Sequence, residues 1–291
     1  MAFQGAFLPP ELTPASCGLL SVADVEKHTG REYDERWVRG FDYEFDTLPT
    51  VRLLSVDDDV VTGGELYDGT RSTRYLPYTP FFIEVEDFRS AFDLPGEDRF
   101  KRVKKQLEAA TQKATETELW SGKTALGNSN DNLFLSKEGS ATLAATGAFP
   151  PNVALMYLEQ AISNSPTGES ATIHLTRDVA SYLNNAILDT DPSEKGLHLT
   201  TRMGTRVVIG SGYSGSGPIG AAGAAASPTN KWMYATSRVQ VHLGKVEVVN
   251  DNLGQGVNAT INDMRIKAFR PAAVYFDPSI HYTVRVTLPT S

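Results

Sequence analysis

Cysteine is almost missing from this sequence. Cys17 stands alone among 291 residues, which excludes an intrachain disulfide and a cysteine-rich zinc site and fits synthesis in a reducing compartment. Long apolar runs are also missing: no segment approaches the roughly 18 apolar residues needed to cross a bilayer. The opening Met1-Ala-Phe-Gln-Gly-Ala-Phe lacks the basic lead of a secretory signal. The expectation is a chain neither secreted nor embedded in a membrane. Basic excess is lacking too, for the net charge is −8. Residues 1–96 hold about 18 acids against about 8 bases, with near balance thereafter. Sequence-specific nucleic-acid recognition requires a basic patch or stripe, so that class is set aside, although a surface that merely encloses DNA needs none. Asp57-Asp58-Asp59 reads as solvated loop charge.

Residues 1–50 scatter Phe3, Phe7, Tyr33, Trp37, Phe41, Tyr43 and Phe45 among charges, prolines and glycines without a period of 2 or 3.6. They read as an extended arm whose aromatics need a body domain or a neighbouring subunit to cover them. From Val51 to Phe88 the residues turn β-prone around Gly63-Gly64, which predicts a long hairpin with a polar, projecting middle from Asp57 to Tyr78. Phe100, Val103, Leu107, Ala110, Ala114 and Thr117 then recur at spacings of three and four, predicting one amphipathic helix over 97–121. Pro95-Gly96 precede it, Glu97 and Asp98 suit its positive end, and Gly122 is placed to cap it. At 1.5 Å per residue it spans about 37 Å, a strut.

Residues 123–150 read as a long polar loop with a short strand at Leu133-Phe134-Leu135. A second helix follows Pro150-Pro151, then a buried strand at 171–176 and a third helix around Asp178–Ile187. Strands at 206–209, 232–236 and within 239–249 complete an α/β sheet region. The stretches 265–270 and 281–288 alternate as half-buried strands do.

The motifs that carry chemistry fail one by one. Gly210-Ser-Gly212-Tyr-Ser-Gly215 matches G-x-G-x-x-G after a strand, but a dinucleotide site needs a helix there and an acid about 20 residues further on. No Asp or Glu stands between Glu194 and Glu247, and the run reads as a flexible glycine loop. His28, His174, His198, His242 and His281 are isolated in sequence, without H-E-x-x-H spacing, and read as structural. Ser211 and Ser214 lack the G-x-S-x-G elbow. The trio Glu84, Glu86 and Asp87 has the residue types of a metal site, but alternation with Ile83, Val85 and Phe88 puts Glu84 and Glu86 on the solvent face of a strand. No catalytic, cofactor or metal residue is predicted, and no enzyme.

The order of arm, projecting hairpin, strut helix, α/β region with a glycine loop and returning strands resembles the Hong Kong 97-type fold of tailed-phage major capsid proteins, notably those of phages infecting actinobacteria. The residues carrying the likeness are 204–218 (Gly-Thr-Arg-Val-Val-Ile-Gly-Ser-Gly-Tyr-Ser-Gly-Ser-Gly-Pro), 232–241 (Trp-Met-Tyr-Ala-Thr-Ser-Arg-Val-Gln-Val) and 262–278 (Asn-Asp-Met-Arg-Ile-Lys-Ala-Phe-Arg-Pro-Ala-Ala-Val-Tyr-Phe-Asp-Pro). The resemblance implies an α+β fold with an N-terminal arm (1–50), an extended loop (51–88), a peripheral domain (89–149 and 245–276, spine helix 97–121) and an axial domain (150–244 and 277–291). It places the glycine segment 210–227 toward the capsomer axis, and the loop Asp251 to Asn258 where three capsomers meet.

The resemblance further implies pentamers and hexamers of this chain forming an icosahedral head around double-stranded DNA, assembled in the host cytoplasm. It implies a portal, decoration proteins and a separate scaffolding protein as partners, unless a scaffolding domain has already been removed, with no cofactor. An isopeptide crosslink from the extended loop is not expected, because no lysine occurs between Lys27 and Lys101. Trp37, Phe81 and Phe82 are the candidate interface anchors, with Asp251 and Asn258 at the three-fold loop. A bacterial encapsulin-like shell is the alternative within the same fold. An α/β enzyme would need convergent polar groups at strand ends, and a tail or adaptor protein would not explain the strut followed by an α/β region.

Overall fold

The computed structural model describes residues 17–28, 34–45, 74–90, 99–165, 171–183, 185–189, 199–250 and 263–289. At the front, α1 (Leu19–Val22), β1 (Asp24–Lys27) and α2 (Asp34–Arg39) lead to β2 (Phe41–Phe45). Next come β3 (Arg74–Tyr78), β4 (Phe81–Ser90), α3 (Arg99–Ser121), α4 (Lys123–Gly127), β5 (Thr142–Phe149) and α5 (Pro151–Ser163). The chain continues through β6 (Thr172–Thr176), α6 (Arg177–Ser181), β7 (Ile187–Asp189), β8 (Leu199–Thr201) and β9 (Arg206–Gly210). It closes with β10 (Asn230–Thr236), β11 (Val239–Leu243), β12 (Glu247–Asn250), β13 (Asp263–Phe276) and β14 (His281–Thr287).

Two sheets organise these elements. In the five-stranded sheet β13 is central: it pairs antiparallel with β4, with β12 and with β11, and β1 adds to β11 in parallel. The seven-stranded sheet runs β5-β14-β10-β6-β9-β8-β7. Strand alternation divides its side chains between two cores. Val207, Ile173, Leu175, Met233 and Ala235 point to α5 and α6, whereas their neighbours Val208, Trp232 and Tyr234 join α3 and the five-stranded sheet. A period of two residues per side is enough to make one strand serve both.

Sheet membership moves several boundaries expected from the sequence. The stretch 17–28 of the expected arm is built into the body: Leu19 is fully buried, and β1 is a strand of the five-stranded sheet. The hairpin base is β2 against β3, with Phe41 opposite Tyr78, so it begins ten residues earlier than 51. Strand β4 belongs to the five-stranded sheet instead. So does β11, expected in the axial unit, while β5 joins the seven-stranded sheet.

The strut is observed over Arg99–Ser121, with Val103 and Leu107 fully buried. Its C-terminal half, however, buries polar residues too: Thr111, Gln112, Thr115, Glu116 and Glu118. Thr111 and Thr115 remain satisfied because their hydroxyls donate to the carbonyls of Leu107 and Thr111 one turn back, at 2.7 and 2.8 Å. Gly122 ends the helix in the left-handed region at φ 54°.

Leu133-Phe134-Leu135 is not a strand. Its backbone turns back onto the helix end, where Leu135 N–H donates to Leu119 O at 2.8 Å and Ser136 N–H to Trp120 O at 3.0 Å. Carbonyls that a helix terminus leaves without partners are thereby satisfied. The expected loop 123–150 also contains α4 and β5. The expected third helix stops at Ser181; Val179 and Ala180 are its buried residues, and the Asn184-Asn185 pair that follows favours turns over helix.

Gly122 is required twice over, by its positive φ and because a Cβ there would lie 2.2 Å from Cδ1 of Phe134. Gly122→Ala is expected to cost about 2 kcal/mol or more through strain and overpacking. A urea unfolding midpoint that equals that of the parent protein would contradict this account.

Candidate assembly surface

Of the expected anchors, two are used within the subunit. Trp37 is 9% exposed and packs edge-on against His28 and Phe41, with ring centroids 5.9 and 5.1 Å away. Phe81 is buried in the core beneath α3. Both rings are packed against residues of their own chain. The reason for Phe81 is parity: it lies on the inward side of β4, and Phe82 on the outward side. Phe82 is 62% exposed and meets Phe269 edge-on at 6.2 Å. Asp251 and Asn258 lie outside the described residues, as does most of the stretch from Asp57 to Tyr78 expected to project.

Register defines the outward face around Phe82. Phe82 stands opposite Pro271, Glu84 opposite Phe269, and Glu86 opposite Lys267; Glu247 and Val249 flank Phe269 and Lys267 on the other side. Lys267 Nζ reaches Glu84 at 3.2 Å and Glu86 at 3.0 Å. The acidic residues therefore sit on the outer strand face, held by a lysine. The result is an apolar strip, Phe82, Pro271 and Phe269 with exposed Val249, edged by paired charge. A small apolar centre with a polar rim is what a protein contact surface contains.

Behind this face lies the joint between the two sheets. Gly212 crosses α3 so closely that a Cβ would come 2.4 Å from the Lys113 carbonyl. The Glu116 carboxylate, on a residue with no exposed surface, accepts from Leu19 N–H at 3.0 Å, Ser211 Oγ at 3.0 Å and Gly212 N–H at 2.8 Å. Further along, Trp120 Nε1 donates to Ser216 O at 3.1 Å, and Trp232 Nε1 to Gly223 O at 2.9 Å. A Cβ on Gly217 would lie 2.3 Å from the Trp232 ring. The expected flexible glycine loop is thus a packed joint: its glycines permit close approach to helix and indole rather than motion. The G-x-G-x-x-G run opens this joint, and no helix follows it.

The four described histidines are not isolated in space, and His198 lies outside the described residues. His174 Nδ1 and Nε2 lie 2.8 Å from the Tyr213 hydroxyl and 2.9 Å from Thr236 Oγ1. Burial, with a smaller repulsion from His281, lowers its pKa to about 3. Burial likewise lowers His281 to about 4, partly offset by hydrogen bonds to the Leu135 and Ser140 backbone. Burial beside the Glu116 charge pushes the Tyr213 phenol well up. His28 and His242, 214 residues apart in sequence, bring ring nitrogens to 2.7 Å, beside Glu26. That cluster had no signal in the spacing of the residues.

No protein-family model matches the sequence, and no curated protein is similar to it. Solved structures share its fold over nearly its whole length. The capsid of an empty GTA particle is similar at a TM-score of 0.62 and 13% identity, covering 99% of this chain and 96% of that one. Gordonia phage Cozz gives 0.55 and 9%, covering 100% and 92%. The SrpI encapsulin of Synechococcus elongatus gives 0.53 and 10%, covering 98% and 92%. The chain therefore has the α+β, Hong Kong 97-like fold of shell-forming capsid proteins.

Glu116→Ala would leave two buried backbone N–H groups unsatisfied and is expected to destabilise the subunit by about 3 kcal/mol, read from chemical denaturation. The two buried histidines give a pH dependence. Their folded pKa values lie below the ordinary 6.5, so at mildly acidic pH the unfolded chain binds protons that the folded one does not. Stability is full above pH 6.5 and falls by about 1.4 kcal/mol per pH unit for each histidine, before any discount for relaxation. The fall continues down to about pH 4 for His281 and about pH 3 for His174. Thermal unfolding of unassembled subunits across this range is expected to show a steady drop, shallower in His281→Asn.

Proposed function

We propose that this chain is the major capsid protein of a tailed double-stranded DNA bacteriophage. It assembles into pentamers and hexamers of an icosahedral head and encloses the genome without reading its sequence. The observation that carries the reading is the extent of the likeness: the fold spans 99% of this chain and 96% of the GTA capsid chain. The extended elements that sheathe neighbours in such a shell have their counterpart in the β2-β3 ribbon and the front segment. In this reading the five-stranded sheet with α3 is the peripheral domain, and the seven-stranded sheet with α5 and α6 is the axial domain. The glycine segment 210–227 is assigned to the side of the capsomer axis, and the loop from Asp251 to Asn258 to the three-fold contacts.

Each subunit contributes many weak contacts that add up through closed symmetry; no catalytic residue is assigned, and no enzyme activity is needed. A separate scaffolding protein, a portal and decoration proteins are its partners during assembly in the host cytoplasm, and the virion is its final place. An encapsulin-like compartment is the second reading, favoured by the SrpI likeness.

Electron microscopy of the purified chain is expected to give closed shells or rings of five and six, and particles from the native source are expected to hold DNA. Shells loaded with an enzyme cargo would favour the compartment, and a permanent monomer would refute both. Phe82→Ser, at an exposed position, is expected to leave the unfolding midpoint within about 0.5 kcal/mol of the parent while lowering assembly yield several-fold. Wild-type yield would remove Phe82 from the interface.

A further inference from the structure

His28, His242 and Glu26 meet where the front segment joins the five-stranded sheet. Strands β1 and β11 are paired in parallel with Glu26 opposite His242, and His28 N–H donates to Leu243 O at 2.9 Å just beyond. His28 Nε2 lies 2.7 Å from His242 Nδ1. Glu26 Oε2 lies 3.3 Å from the same Nδ1 and 4.0 Å from His28 Nε2. The ring planes differ by only 6°, with centroids 5.0 Å apart, which is the arrangement of two coplanar imidazoles pointing nitrogen at nitrogen.

The outer shell suits one placement of the His242 proton. The Tyr275 hydroxyl donates to Gln240 Oε1 and lies 3.3 Å from His242 Nε2. With its proton on Gln240, its oxygen can accept an Nε2–H of His242, the tautomer in which Nδ1 carries a lone pair. That lone pair faces a carboxylate oxygen and a second imidazole nitrogen, so three electron-rich atoms converge on one point. One proton on His28 serves only one of the two contacts. A cation serves all three. Two imidazoles and a carboxylate, with the second nitrogen of one imidazole held by an outer hydrogen bond, form a common donor set for zinc-like ions.

The surroundings suit an ion. The two histidine side chains are 4% and 11% exposed, whereas that of Glu26 is 62% exposed, leaving a side open for entry and for a water as fourth ligand. Ions of this class bind imidazole nitrogen at about 2.0 Å and tetrahedrally, which requires nitrogens about 3.3 Å apart. From the 2.7 Å head-to-head contact the rings must part and turn so that both lone pairs meet the ion on the open, Glu26 side.

We infer that Glu26, His28 and His242 form a binding site for a divalent transition-metal ion of the zinc class, clamping the front segment to the body sheet. Trp37 lies edge-on to His28, and Phe41, the first residue of the hairpin base, stacks on His242 at 5.4 Å. The ion would therefore also steady the root of the β2-β3 ribbon.

The test uses untagged full-length protein stripped with chelator, titrated with Zn²⁺ by calorimetry and with Co²⁺ by visible absorption. The expected result is one ion per chain, a Co²⁺ spectrum of tetrahedral character, and a higher unfolding temperature with Zn²⁺. His242→Gln is expected to abolish binding. Glu26→Gln, at an exposed position that leaves folding intact, is expected to weaken it at least tenfold, and it carries the comparison if the buried variant does not fold. Stripped protein that takes up no Zn²⁺, or binds it as well after Glu26→Gln, would overturn the site and leave a proton-sharing histidine pair in its place. Because binding is read on the chain itself, failure to assemble leaves this test unaffected.

Discussion

The carboxylate of Glu116 holds together parts of the chain that no strand pairing connects. It accepts hydrogen bonds from the start of α1, from the strut's far neighbour Gly212 and from Ser211. An ionised carboxylate without exposed surface is costly unless its lone pairs are occupied, and two backbone N–H groups and a hydroxyl occupy them here. The partners are only available because Gly212 lacks a side chain where it crosses the helix. Carboxylate and glycine therefore depend on each other: the charge needs the close donors, and the close approach leaves donors that need an acceptor. Around this point the aromatic rings of Trp120, Tyr213 and Tyr234 close the joint, with centroids 4.7 and 5.0 Å from Trp120.

From that joint the two sheets follow. Strands β6, β9 and β10 present alternate side chains to different cores, so the α5 layer and the α3 layer share strands rather than an interface. The seven-stranded sheet is consequently rigidly coupled to the strut. Glu118 adds a local lock of the same kind, accepting from Thr124 and Ala125 N–H at 2.7 and 3.0 Å and so capping α4 immediately after the Gly122 break.

The strut, the α5 helix and the returning strands were legible because each has a strong period over many residues. The strut's polar stripe was not, since a buried glutamate on a helix looks like a solvent-facing one until its partners arrive from 95 or more residues away. The same holds for Glu26, His28 and His242. The glycine loop was legible as exceptional but misread in kind: high glycine content marks either freedom or close approach, and only the neighbouring helix decides. Phe81 and Phe82 illustrate the limit in a pair. Alternation says that they face opposite ways, but which of them faces inward depends on where α3 lies.

These constraints also explain how the shell-protein fold persists at 13% identity while no family model matches the sequence. Most of what the fold demands is a pattern: apolar residues at period 3.6 along a strut and period 2 along strands, which many residue types satisfy. Few positions demand a particular residue. Gly122, Gly212 and Gly217 do, because a single Cβ at each collides with Phe134, the α3 backbone or Trp232. Such requirements are set by local partners, so a relative that replaces Trp232 or shifts the helix by a turn is released from them. Sequence likeness then decays at the joints as well as on the surface, and the architecture outlasts it because burial pattern and strand order are satisfied by many different joints.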